Sequence, residues 1–152
     1  MNDASEHLIS TDPLIVRRRV SWGECDPAGV VYTPRFAEYV VSAMDYWFKH
    51  VLQHSDRPHP LRKQVVYPMR AMSFDFTGML EPDDQFDIEV RLANISTRTL
   101  TLAVEARHEK KRRQAFSASL TVVAYDQEKK AAVPIPEELR CQLRRIQAEQ
   151  NG

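Results

Sequence analysis

Hydrophobic positions change their spacing twice along this chain, and each change marks an element. Leu14, Val16, Val20 and Trp22 alternate with polar neighbours, and Arg18 breaks the set. Alternation of this kind predicts a β-strand. Residues 23–29, Gly-Glu-Cys-Asp-Pro-Ala-Gly, are dense in turn formers. From Phe36 the spacing becomes three and four: Phe36, Tyr39, Val40, Ala43, Met44, Trp47, Phe48 and Val51. That stripe predicts a long, mostly buried helix. Thr33 is expected at its N-cap and Pro34 at its first helical position, with the end near His54, before Pro58 and Pro60.

After residue 63 the period returns to two. Residues 65–76 read as one strand with Tyr67, Met69, Ala71 and Ser73 on one face. Residues 78–84 read as a turn. Three further alternating runs follow, carrying Phe86, Ile88, Val90 and Leu92, then Leu100, Leu102, Val104 and Ala106, then Phe116, Ala118, Leu120 and Val122. Pro136 is expected to open a short C-terminal helix with Leu139, Leu143 and Ile146 on its apolar side. One long apolar helix must be covered, and one antiparallel sheet face needs a partner. A sheet wrapped around that helix meets both needs, so the class is α+β.

Composition narrows the picture little. The chain has 152 residues, 43% hydrophobic and 28% charged, which fits a single domain over 13–152 behind a polar, frayed segment 1–12. Its 21 basic and 21 acidic residues cancel, which gives no pull toward nucleic acid or an anionic membrane. The N-terminal residues lack the apolar run of a signal peptide, no stretch is long enough to span a bilayer, and Cys25 and Cys141 form no CxxC pair. These readings predict a cytoplasmic protein without a disulfide framework.

The stretch 22–32, Trp-Gly-Glu-Cys-Asp-Pro-Ala-Gly-Val-Val-Tyr, resembles the signature of the 4-hydroxybenzoyl-CoA thioesterase family. The likeness continues through Thr33-Pro34-Arg35-Phe36, with Ser73-Phe74 in the next strand, and covers about residues 14–126. The resemblance implies a hotdog fold, a curved antiparallel sheet around a central helix. It implies acyl-CoA as substrate, no cofactor, and homodimers or tetramers whose active sites lie between subunits. It makes Asp26 the catalytic carboxylate, as nucleophile or general base. It makes the Thr33 backbone N–H the donor that polarises the thioester carbonyl. Family members usually carry Tyr or His at this position; a backbone donor survives the change to Thr33. Val41 and Ser73 fall at substrate-contacting positions, and Arg98 matches a basic position in the turn that touches the CoA nucleotide. Gly29 lets the chain turn into the helix and either lets substrate come close to the backbone or serves only as a turn glycine. In the 4-hydroxybenzoyl branch an acidic residue of the central helix meets the ring hydroxyl. A buried Val41 in its place cannot accept that hydrogen bond, so an acyl group without a polar para substituent is expected, such as benzoyl or a short aliphatic chain.

Blander readings stand beside these. Asp-Pro is a common turn pair, and Thr33 is a good N-cap. Cys25 has no histidine near it in sequence, which argues against a thiol nucleophile. His50 and His54 have the i, i+4 spacing of a helical metal pair but no third ligand. Lys110, Lys111, Arg112 and Arg113 read as a solvated hairpin tip, with phosphate contact as the alternative. An acyl-carrier-protein thioesterase and a non-catalytic acyl-CoA sensor share the scaffold. A sensor would add a DNA-binding segment, for which residues 1–12 are too short and too acidic. A dehydratase needs a histidine that residues 22–36 lack.

Overall fold

A computed structural model describes residues 5–52 and 64–152. Six strands make the main sheet: β1 (Glu6–Thr11), β2 (Leu14–Arg19), β4 (Met69–Phe76), β5 (Gln85–Ile95), β6 (Thr99–His108) and β7 (Gln114–Val123). They run antiparallel in the order β1-β2-β5-β6-β7-β4. Helix α1 (Arg35–His50) packs on the middle of this sheet, against β2 and β5. Its side chains Phe36, Tyr39, Val40, Ala43, Met44 and Trp47 are buried there. The alternating sets of β5, β6 and β7 face it, with Phe86, Ile88, Leu102, Phe116 and Leu120 fully enclosed. This is the sheet-around-helix arrangement that the hydrophobic pattern requires, and it is the hotdog fold. A small sheet of β3 (Val65–Val66), β8 (Tyr125–Asp126) and β9 (Ala131–Ala132) lies beside it. Among the described residues no helix is long and apolar enough to cross a membrane.

Four expectations about elements need correction. Residues 6–11 are not frayed: they form β1, paired with β2 from Glu6–Arg18 to Thr11–Leu14. Their inward position Glu6 is charged, and it reads as polar sequence because its partner is the equally inward Arg18. Residues 65–76 are two strands, broken at Tyr67-Pro68, and β4 carries a bulge between Met69 and Ala71. One extra residue turns the following side chains over. Met69, Met72 and Phe74 therefore pack on the core, and Ala71 and Ser73 are exposed. Helix α1 begins at Arg35 with Pro34 as N-cap, one residue later than expected. Its described end is His50, with Val51 as C-cap, and His54 and the Pro58–Pro60 stretch lie outside the described residues. The C-terminal helix α2 (Glu137–Asn151) is not short, at 15 residues against 16 for α1.

Candidate active site

The end of the sheet where β2 finishes carries three connected turns. The first begins with a 3-10 turn at Trp22–Glu24. The Glu24 N–H donates to the Ser21 carbonyl (3.0 Å), and the Ser21 N–H donates to Glu24 Oε1 (2.8 Å). Glu24 Oε2 accepts from Arg18 (3.1 Å), whose other nitrogen reaches Glu6 (2.7 Å). The Arg18 guanidinium lies over the Tyr39 ring, 4.6 Å from its centroid, and Ser42 donates to Glu6 (2.5 Å). One half-buried arginine thus ties the turn to β1, β2 and α1. Burial, reinforced by the Glu24 charge, pushes the Tyr39 phenol far above its ordinary pKa, so it stays protonated.

The next turn presents Asp26. A bridge between Cys25 and Val31 closes it. The Asp26 N–H donates to the Val30 carbonyl (2.9 Å), and the Gly29 N–H donates to the Asp26 carbonyl (2.9 Å). Pro27 occupies the second position of this β-turn, where its fixed φ is an advantage. Gly29 has φ +81°, which side chains resist, although a Cβ there would meet no atom within 4 Å. Its requirement is conformational. Asp26 is half-buried, and its Oδ1 accepts the Ala28 N–H (2.8 Å). Its Oδ2 has no partner among the described residues. The turn-forming role of this aspartate is therefore real, and it leaves one carboxylate oxygen free.

The third turn leads into α1. Arg35, Phe36 and Ala37 donate to the carbonyls of Tyr32 (2.8 Å), Thr33 (3.2 Å) and Pro34 (3.2 Å). These i to i+3 bonds wind the entry as a 3-10 turn, which is why the α-helix proper starts late. Pro34 has no N–H. The Thr33 N–H finds no acceptor among the described residues, and Thr33 is exposed. An open backbone donor therefore stands at the positive end of the helix dipole.

A carboxylate turn followed directly by this helix is decisive together with one comparison: residues 20–143 match the model of the thioesterase-like superfamily. The chain belongs to that superfamily. The match is at the level of the superfamily. No curated protein matches the chain by sequence. Solved structures share the fold. The 1,4-dihydroxy-2-naphthoyl-CoA thioesterase of Synechocystis has a TM-score of 0.74 at 18% identity, covering 85% of this chain and 93% of its own. A gentisyl-coenzyme A thioesterase gives 0.71 at 20% identity, covering 83% and 98%. A Staphylococcus aureus protein solved in complex with CoA gives 0.77 at 11% identity, covering 96% and 87%. Superfamily membership makes this chain a thioester hydrolase.

The other site residues that the resemblance implies are not brought together with Asp26 in this chain. Val41 is not buried: it is 36% exposed on the outward side of α1, eight residues and roughly 12 Å along the axis from Thr33. Ser73 points away from the helix because of the β4 bulge. Arg98 sits at the β5–β6 tip, the opposite end of β5 from the Asp26 turn, roughly 30 Å away along an 11-residue strand. Cys25 is held away from thiolate chemistry: burial first, then the charges of Glu24, Asp26 and Asp84, push its thiol up. His50 ends α1, and His54 lies outside the described residues. Trp22, assigned by alternation to the inward face of a strand, is 73% exposed on the 3-10 turn. Sequence reasoning missed Glu24 and Tyr39 as anchors of this region. The available signal was Arg18, an arginine on the inward face of an apolar strand, which needs buried acceptors.

Proposed function

We propose that the chain hydrolyses a small acyl-CoA to free acid and CoA, with Asp26 as its central carboxylate. One observation carries this reading: an Asp26 oxygen and the Thr33 N–H, neither with a partner among the described residues, belong to consecutive turns at one end of the sheet. A carboxylate with an open lone pair either attacks the thioester carbonyl or takes a proton from water. The Thr33 N–H receives the carbonyl oxygen as it gains charge, a contribution of about 3 kcal/mol for one well-placed donor. Gly29 lets the turn close, and Val41 offers an apolar surface to the acyl group. Val41 has no acceptor for a ring hydroxyl, which favours benzoyl or a short aliphatic acyl chain.

The active unit is a homodimer or a pair of them, with sites shared between subunits. Strand β4 is an edge of the sheet, and Val41 and Phe76 expose apolar surface on α1 and at the end of β4. Free edges with apolar neighbours invite pairing. Joining two copies along β4 would carry Ser73 and Arg98 of one subunit toward the Asp26 end of the other, where Arg98 would meet CoA phosphate.

Thiol release from a panel of acyl-CoAs tests the activity. Turnover of benzoyl-CoA or a short-chain acyl-CoA, faster than of 4-hydroxybenzoyl-CoA, is expected. A strong preference for the hydroxylated ring would overturn the substrate assignment, and failure to cleave any acyl-CoA would overturn the function.

A further inference from the structure

The charged run Lys110–Arg113 lies at the Asp26 end of the sheet, on the tip between β6 and β7. Its four cations are not equivalent. Arg112 pairs with Asp87 (3.0 Å), and Arg113 donates to the Met79 carbonyl (3.2 Å). Lys110 and Lys111 are exposed, and their ammonium groups pair with no described residue. Nearby acids are already engaged: Asp87 by Arg17 (2.8 Å), Glu109 by Arg17 (4.0 Å) and Asp83 by the Trp22 indole N–H (3.1 Å).

The tip is built in place, not left loose. The backbone N–H groups of Lys110 and Lys111 both donate to His108 Nδ1 (3.2 and 3.1 Å), and His108 Nε2 lies 3.4 Å from Asp84. Asp83 and Asp84 exchange backbone hydrogen bonds with Val20, and the adjoining Leu80 carbonyl receives the Val31 N–H. Residues 79–84 therefore hold three things at once: the Asp26 turn, the exposed Trp22 ring and the two-lysine tip. An open indole face stacks on a purine, and a pair of ammonium groups receives phosphate.

We infer that Trp22, Lys110 and Lys111 form a binding surface for the phosphorylated adenosine of coenzyme A on the same protomer as Asp26. This assignment rests on the acyl-CoA reading above, but it differs from it in placing the nucleotide at the β6–β7 tip and not at Arg98 alone.

Titration of the whole protein with coenzyme A, and with pantetheine as the probe lacking the nucleotide, tests it. Trp47 is 1% exposed, so a ligand-dependent change in intrinsic fluorescence reports on Trp22. Coenzyme A is expected to quench that emission saturably and pantetheine to leave it unchanged. Replacing both lysines by alanine (Lys110→Ala with Lys111→Ala) is expected to weaken coenzyme A at least about tenfold, measured by calorimetry. Undiminished affinity in that variant, no binding by the wild type, or a loss confined to Arg98→Ala would each overturn the inference. Binding needs no turnover, so the two readings fail separately. A protein that binds coenzyme A here yet cleaves no thioester refutes only the hydrolase proposal. One that cleaves acyl-CoA with full affinity in the double variant refutes only this surface.

Discussion

The two ends of the sheet are built from similar turns and finish differently. At the far end the β5–β6 tip is closed off: Arg140 of α2 donates to the Ser96 and Thr97 carbonyls (2.9 and 2.7 Å), and the Ile135 N–H takes the Thr97 carbonyl as well. Gln150 exchanges two hydrogen bonds with the Leu92 backbone, Gln142 holds the Leu52 carbonyl, and Trp47, Leu52 and Leu143 fill the space beneath. At the Asp26 end the backbone is just as regular, but a carboxylate oxygen, an N–H at a helix entry and two ammonium groups have no partner among the described residues, and the Trp22 ring is exposed. The closed end is tied down by α2, and the Asp26 end holds the groups that the proposed hydrolysis would use. Substitutions at the two ends should therefore separate stability from turnover.

The largest effect is expected at the closed end. Trp47→Ala removes a fully enclosed ring from beneath α1 and should cost about 3–5 kcal/mol in chemical denaturation. A loss below about 1 kcal/mol would show that this end is not the anchor. Gly29→Ala forces a side chain to φ +81° in open space, so only conformational strain acts. About 1 kcal/mol of stability should be lost, together with turnover, because the turn that aims Asp26 must relax.

Asp87 sharpens the comparison through pH. Burial opposes its charge, yet hydrogen bonds from Arg17 and Arg112 prevail and hold its carboxyl below the usual carboxylate range. A depressed folded pKa stabilises above the unfolded value of about 4 and loses that contribution as pH falls through the folded value. Asp87→Asn should cost about 1 kcal/mol near neutrality, and the gap to wild type should close in acid. A gap that widens on acidification would reverse the assignment. The smallest effect belongs to Cys25. Its thiol is pushed up by burial and by neighbouring carboxylates, so Cys25→Ala should leave turnover within about twofold in the thiol-release assay. A hundredfold loss would restore the thiol as nucleophile.

How much of this was legible in sequence depended on how local the cause was. The α1 stripe and the alternation of β5, β6 and β7 are patterns within single elements, and they read correctly. The Asp26 turn was legible because Pro27 and Gly29 are turn formers for stated backbone reasons. The β4 bulge was hidden: a single extra residue at Arg70 shifts the face of Ser73, and only pairing with β7 reveals it. Strand β1 was hidden because its inward Glu6 is matched by Arg18 in another strand. The separation of Arg98 from Asp26, and the placing of the Lys110–Arg113 tip at the same end of the sheet as Trp22, are consequences of sheet order, which no local pattern encodes.

The most direct test is thiol release by Asp26→Asn beside wild type, with a thermal melt of both. Asparagine keeps an oxygen for the Ala28 N–H, so the turn and the melting temperature should persist. Its amide cannot serve as a strong nucleophile or base. A loss of at least about a hundredfold in kcat from an equally stable protein is expected. A folded Asp26→Asn protein as fast as wild type would contradict it.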